Sequence, residues 1–210
     1  MIRGCFGEEG GHSGGWIYEK NMIISAIKLS LENMNRKFTD LSKLRFDEIG
    51  QKLKEKLQEQ KIQERPFAYE FYHQFRKFWD SGSIMGIVSE DIVIQAEINK
   101  GYQQIPNLNK MPDFLLHKPS TNKNFAVIEF KLASNSGLES DFKKLVAFKQ
   151  KLDYTYLIEV VIGQGNSLKT AKKRIKELNN SDGEEIIIIE FNTDSWRANN
   201  FRIKYKSNVA

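Results

Sequence analysis

The sequence predicts an α/β fold: a central mixed β-sheet flanked by helices, preceded by an N-terminal helical extension. Three observations carry this. Short apolar runs of strand length, such as Ile186-Ile187-Ile188-Ile189, fill the second half of the chain. Stretches with helical spacing of apolar residues separate the later runs. After residue 66 the order reads helix, three strands, helix, strand, helix, strand. Short connections between the first three strands predict an antiparallel meander, and helices long enough for crossovers predict parallel pairs beyond it.

The elements follow in order. Residues 1–15 hold six glycines and read as a flexible leader. Residues 16–63 read as the helical extension. Ile23, Ile27, Leu31 and Met34 share one helical face, and Thr39 or Asp40 is a candidate cap for a second helix striped by Leu41, Ile49, Leu53 and Leu57. Residues 64–206 read as the main domain. Pro66 suits the first turn of a helix running to about Trp79, which Asp80-Ser81-Gly82-Ser83 stops. Strands are predicted at Ile92–Ile98, Phe114–Leu116 and Phe125–Leu132. A helix over Gly137–Leu152 comes next, then a strand over Tyr154–Ile162. A basic helix over Ser167–Leu178 precedes strands at Glu185–Phe191 and Phe201–Tyr205.

Composition narrows the chemistry. With 210 residues, 40% hydrophobic and 14 Phe, the chain can bury a sizeable core. No apolar run approaches the ~20 residues of a membrane span, so no membrane partner is expected. A single cysteine, Cys5, excludes an intramolecular disulfide framework and a cysteine-rich metal centre. A reducing, cytoplasmic setting is therefore expected, and Met1–Gly15 lacks the apolar core of a secretory signal. The formal charge is +5, but Lys143 to Lys176 holds nine Lys/Arg against Asp153 and Glu159. That segment favours a polyanion such as nucleic acid.

The anomaly lies in Phe125-Ala126-Val127-Ile128-Glu129-Phe130-Lys131-Leu132. Glu129 and Lys131 interrupt an apolar strand and, two residues apart, share a face. Burying such charges costs several kcal/mol unless they are paired or bound to metal. They read equally well as a self-neutralising pair at a strand end. The preceding strand opens Met111-Pro112-Asp113, with proline where a strand begins. A short antiparallel return brings Asp113 beside Glu129. Two carboxylates with a lysine one pleat away suit Mg2+ or Mn2+, which take oxygen ligands and keep several waters.

Pro112-Asp113, fifteen residues, then Glu129-Phe130-Lys131 resembles the signature of the PD-(D/E)xK nuclease superfamily, which has the restriction-endonuclease-like fold. The resemblance covers residues 64–192, about 60% of the chain. It implies a metal-dependent nuclease acting on DNA through a metal-activated water, with endonuclease action expected. It implies Asp113 and Glu129 as metal ligands aided by the Phe130 carbonyl, with Lys131 serving the water. Many members also carry a glutamate on the helix before the first strand. Glu70, in an aromatic-rich helix, fits that role, and as a helix carboxylate it reads equally as a solvated residue. Glu97 in the first strand is a second acidic candidate and reads equally as a strand-end residue near solvent.

Lys144 in the next helix and Lys172, Lys173 and Arg174 in the basic helix are the candidate phosphate contacts, with a solvated helix face as the plain alternative. His12, His73 and His117 are isolated, so zinc is not expected. Gly163-Gln164-Gly165 lacks the remainder of a phosphate-binding loop and reads as a connection. The rival reading is a non-catalytic nucleic-acid-binding or assembly subunit on the same fold. The sequence leaves a homodimer open, since folds of this class often cut both strands as dimers.

Overall fold

The computed structural model describes residues 12–39, 63–81, 91–96 and 111–207. Helix α1 spans His12–Glu32, α2 Arg36–Thr39 and α3 Glu64–Asp80. Strand β1 is Val93–Ala96, β2 Phe114–His117 and β3 Asn124–Leu132. Helix α4 is Leu138–Leu152, β4 Tyr156–Gly163, α5 Gly165–Glu177, β5 Glu184–Asn192 and β6 Arg197–Tyr205.

Among the described residues the strands form one six-stranded sheet in sequence order, β1 to β6. The β1–β2, β2–β3 and β5–β6 pairs are antiparallel, whereas β3–β4 and β4–β5 are parallel. The parallel pairs are those whose connections contain α4 and α5, since a parallel return must cross a face of the sheet. The result is the mixed α/β sheet that the alternation of patterns predicts.

Pleating divides the sheet into two cores. Phe114, Leu116, Ala126, Ile128, Phe130, Ile158 and Val160 face α1 and α3. Leu115, Val127, Leu157, Val161, Ile186 and Ile188 face α4 and α5. Both faces are covered, so the central strands are apolar without interruption except at a few positions. Phe71 of α3 is the keystone of the first core. Its ring lies 5.0 Å from Phe130, 5.6 Å from Phe114 and 5.5 Å from Phe75, all in tilted contact. The extension is tied down as well. Glu32 Oε1 accepts the Ala198 N–H at 2.9 Å, and Trp196 Nε1 donates to the Met34 carbonyl at 3.2 Å.

Several boundaries differ from expectation. Helix α1 begins at His12, so the last four residues of the anticipated leader are helical. Once residues 16–32 are helical, adding a turn requires only propagation, not a new nucleus. Thr39 is the last residue of α2. The helix anticipated after it, and the end of the first strand with Glu97, lie outside the described residues. Helix α5 starts two residues early because Gln164 and Ser167 form a reciprocal capping box. Strand β6 gains four residues, since the tight turn at 193–196 lets β5 pair with it from Asn192↔Arg197 onward. Asn199 and Asn200 have weak strand propensity, which the continuous ladder overrides.

The Phe71 cluster sets a stability test. Phe71→Ala should cost about 3–5 kcal/mol in a denaturant titration. A loss below about 1 kcal/mol would show that α3 is not anchored through this ring.

Candidate active site

The site begins with unequal strands. Strand β2 starts at Phe114, opposite Ile128, whereas β3 continues to Leu132. The last residues of β3 therefore extend past the β2 ladder, and among the described residues no strand pairs with the N–H groups of Phe130 and Leu132. Carboxylates meet them there. The Phe130 N–H donates to Asp113 Oδ2 at 2.7 Å, and the Leu132 N–H donates to Glu64 Oε2 at 3.3 Å. In an extended strand a residue's carbonyl projects on the same side as its N–H. The Phe130 carbonyl thus turns toward the side on which β2 has ended too.

One register step beyond Phe114↔Ile128 brings Asp113 to the level of Glu129. Glu129 is 2% exposed and belongs to the face covered by α4 and α5, as does Lys131. Glu129 Oε2 accepts from Lys144 Nζ at 2.5 Å, while its Oε1 is buried without a hydrogen-bond partner among the described residues. Lys131 Nζ lies 2.9 Å from Asp141 Oδ2 and 3.9 Å from Glu64 Oε1. Glu159 of β4 stands beside Glu129 in the parallel register. It is fully buried, and neither of its oxygens has a hydrogen-bond partner among the described residues.

The electrostatics share one cause. Five carboxyl groups, those of Glu64, Asp113, Glu129, Asp141 and Glu159, gather around two ammonium groups, Lys131 and Lys144. Burial pushes the Glu129 carboxyl well above its ordinary range, and the neighbouring Asp113 charge adds to this. Burial also raises Asp113, with the Phe130 N–H pulling the other way. Glu159 rises well above its ordinary value through burial, then through Asp141 and Glu129. Burial depresses the lysines, yet both end above their ordinary values. The Asp141 hydrogen bond and charge outweigh burial at Lys131, and the Glu129 charge and hydrogen bond do so at Lys144. Asp113, Glu129, Glu159, Lys131 and Lys144 thus all hold their protons more tightly than in water, as expected where carboxyl groups outnumber ammonium groups.

That shortfall bears on a divalent cation. Among the described residues no three Asp, Glu, His or Cys side chains are grouped to hold a metal ion by themselves. The oxygen set is smaller: Asp113, Glu129, whose Oε1 has no hydrogen-bond partner among the described residues, and the Phe130 carbonyl. Two hard carboxylates and a carbonyl fit Mg2+ or Mn2+, which retain several waters.

Not every expected residue lies here. Glu70 accepts from the Asn35 N–H at 3.1 Å and from Gln74 Nε2 at 2.8 Å. It joins α3 to the α1–α2 connection, because its place on α3 faces the extension and not the open edge of β3. Glu64, at the first turn of the same helix, is the carboxylate that reaches that edge. Lys144 is not a free surface cation, since Glu129 holds it. Arg174 donates to the Asn135 and Ser136 carbonyls at 3.2 and 3.1 Å, tethering α5 to the loop after β3. Lys172 pairs with Glu190 at 2.7 Å and stacks over Phe201. Lys173 is exposed, as are Lys169 and Lys176. The Gly163-Gln164-Gly165 stretch caps α5, and Asp194 accepts the Gly165 N–H at 3.1 Å, so a carboxylate already meets that helix end.

Sequence reasoning passed over Glu64, Asp141 and Glu159. The signal for Glu159 was the one used for Glu129, a carboxylate inside the apolar run Tyr156–Ile162. Asp141 sits in an apolar helix face with Leu138, Phe142, Leu145 and Phe148, three residues before Lys144.

The state of Glu159 predicts a pH dependence. Its folded pKa lies above its unfolded value, so the folded chain binds the extra proton. Stability therefore falls as pH rises from about 4.5 toward the folded pKa, by up to about 1.4 kcal/mol per pH unit. In Glu159→Gln this component disappears. Denaturant titrations at pH 5 to 8 should show the variant gaining on the wild type as pH rises. Parallel curves would mean that Glu159 is not held as the neutral acid.

No family model, curated protein or solved structure matches the chain.

Proposed function

We propose that this chain is a divalent-cation-dependent nuclease that hydrolyses phosphodiester bonds of DNA, as an endonuclease. The observation that carries the reading is the open end of β3. There Asp113 meets the Phe130 N–H, Glu129 stands at the same level, and Lys131 follows on the same face. The meander of β1–β3 before a helical crossover is also the strand context that the sequence resemblance requires.

The chain's own groups have separable roles. Asp113, Glu129 and the Phe130 carbonyl would hold the cation. When bound, the cation supplies charge stabilisation on the phosphate and acidifies a water. Lys131 keeps its proton, because Asp141 and Glu64 favour the ammonium. It is therefore suited to donate hydrogen bonds to a phosphate oxygen and to orient a water, and unsuited to act as a base. Asp141 fixes its direction. In the reaction water adds to phosphorus in line, one ester oxygen leaves, and the added charge on the phosphoryl oxygens is what these groups offset. Nucleic-acid affinity is assigned to the exposed cations of α5. Lys169, Lys172, Lys173 and Lys176 line one shallow groove, and phosphate contacts there would position the strand without reading bases.

Two predictions follow from these roles. With Mg2+, Glu129→Gln and Lys131→Ala should each lower cleavage of plasmid or branched DNA at least about 100-fold while retaining the fold by circular dichroism. Equal cutting by wild type and both variants would place the activity elsewhere. DNA binding with no cleavage under any divalent cation would favour the non-catalytic subunit. Charge reversal at Lys169, Lys173 and Lys176, which leaves the Lys172–Glu190 and Arg174 contacts intact, should weaken binding alike for unrelated sequences. It should also flatten the log K against log salt slope by about 0.9 per lost phosphate contact on duplex DNA. An unchanged slope would return this face to the role of a solvated surface.

A further inference from the structure

A cation entering the open end of β3 meets a positive charge already in place. Lys144 Nζ lies 2.5 Å from Glu129 Oε2, 3.8 Å from Asp141 Oδ1 and 3.5 Å from the Met111 carbonyl oxygen. The Glu129 side chain is 2% exposed and that of Lys144 is 20% exposed. The ammonium therefore comes in from the rim, on a helix, and ends against a carboxylate whose second oxygen has no hydrogen-bond partner among the described residues.

The two lysines of the cluster are attached differently. Lys131 is held by Asp141 and Glu64, neither of which is an expected cation ligand. The shortest contact of Lys144 is with Glu129, which is one. Two positive centres on a single buried carboxylate repel strongly, since separations near 4 Å in a protein interior are poorly screened. Lysine can yield: its four-carbon stem is flexible and its charge is readily hydrated. We propose that Lys144 is a resident counter-ion that a divalent cation displaces from Glu129, so that cation loading converts a structural ion pair into a free ammonium at the rim of the site. The inference rests on the cation-dependent reading above and adds a switch to it. Without cation, Lys144 is the counter-charge of Glu129. With cation, Lys144 becomes available to a phosphate. Because coupling is reciprocal, Lys144 must weaken cation affinity by the same factor by which cation weakens the Lys144–Glu129 contact.

Amine footprinting of the wild-type chain tests this without any substitution. Chelator-treated protein is acetylated briefly at pH 8 with and without saturating Mn2+, and labelling at each lysine is read by mass spectrometry. Labelling of Lys144 should rise several-fold with Mn2+, whereas Lys131 and the exposed Lys173 stay unchanged. Calorimetric titration of Mn2+ supplies the second readout. Lys144→Gln should bind about 5-fold or more tightly than the wild type, within the usual range of coupling energies, and Lys144→Arg should stay within about 2-fold of it. Unchanged Lys144 labelling, together with equal or weaker affinity in Lys144→Gln, would overturn the displacement and leave the cation site standing. No detectable Mn2+ binding by any of the three proteins would overturn the cation reading itself, and this inference with it.

Discussion

A mismatch in strand length organises this molecule. Strand β3 outruns β2, and the backbone N–H groups at its end need acceptors. A buried N–H left without one costs about 1–3 kcal/mol. The chain answers with side chains: Asp113 from the entry to β2 and Glu64 from the start of α3. Each is thereby fixed to the backbone of β3, with no rotamer search. The same mismatch turns the Phe130 carbonyl toward the side on which β2 has ended and leaves Asp113, outside the ladder, at the level of Glu129. Helix α3 is seated by its aromatic face on Phe114 and Phe130, so the packing that stabilises the sheet also sets where Glu64 arrives.

The second constraint is charge. A sheet covered on both faces has little place for carboxylates, yet Glu129 and Glu159 lie side by side beneath α4. Such an arrangement burdens folding, and burial answers by raising both carboxyls well above their ordinary range, which favours their neutral forms. The large apolar cores on either side supply the compensating stability. Local conflicts of this kind concentrate where a protein does chemistry, because an optimal fold would place apolar residues there. Glu159 shows this most sharply. An isoleucine at the same point would complete the apolar run of β4, and nothing about the strand needs a carboxyl.

The architecture was largely legible because hydrophobic periodicity and crossover length are local signals with few topological outcomes. The order of strands and helices, the meander and the two parallel pairs all follow from them. Boundaries were less legible where an element is completed by a neighbour. The first half of β6 contains Asn199 and Asn200 and becomes a strand because β5 offers it a ladder. At the site, Glu129 and Lys131 stood out because charge interrupts apolar strand sequence, and Asp113 because Pro112 marks the strand start that a short return sets beside Glu129. The helix glutamate was the harder choice. Glu64 and Glu70 are six residues apart on α3, and only the orientation of that helix on the sheet decides which one reaches β3. The basic residues of α5 were visible as a charge run, but their division into tethers such as Arg174, ion pairs such as Lys172 and free cations such as Lys173 depends on tertiary contacts.

The central claim is that the open end of β3 is a cation site. Anomalous diffraction from crystals of the full chain soaked in Mn2+ addresses it directly, because the signal locates the ion independently of activity. The account predicts a single strong anomalous peak bounded by Asp113, Glu129 and the Phe130 carbonyl. A peak elsewhere, or none at full soak with those side chains ordered, would contradict it.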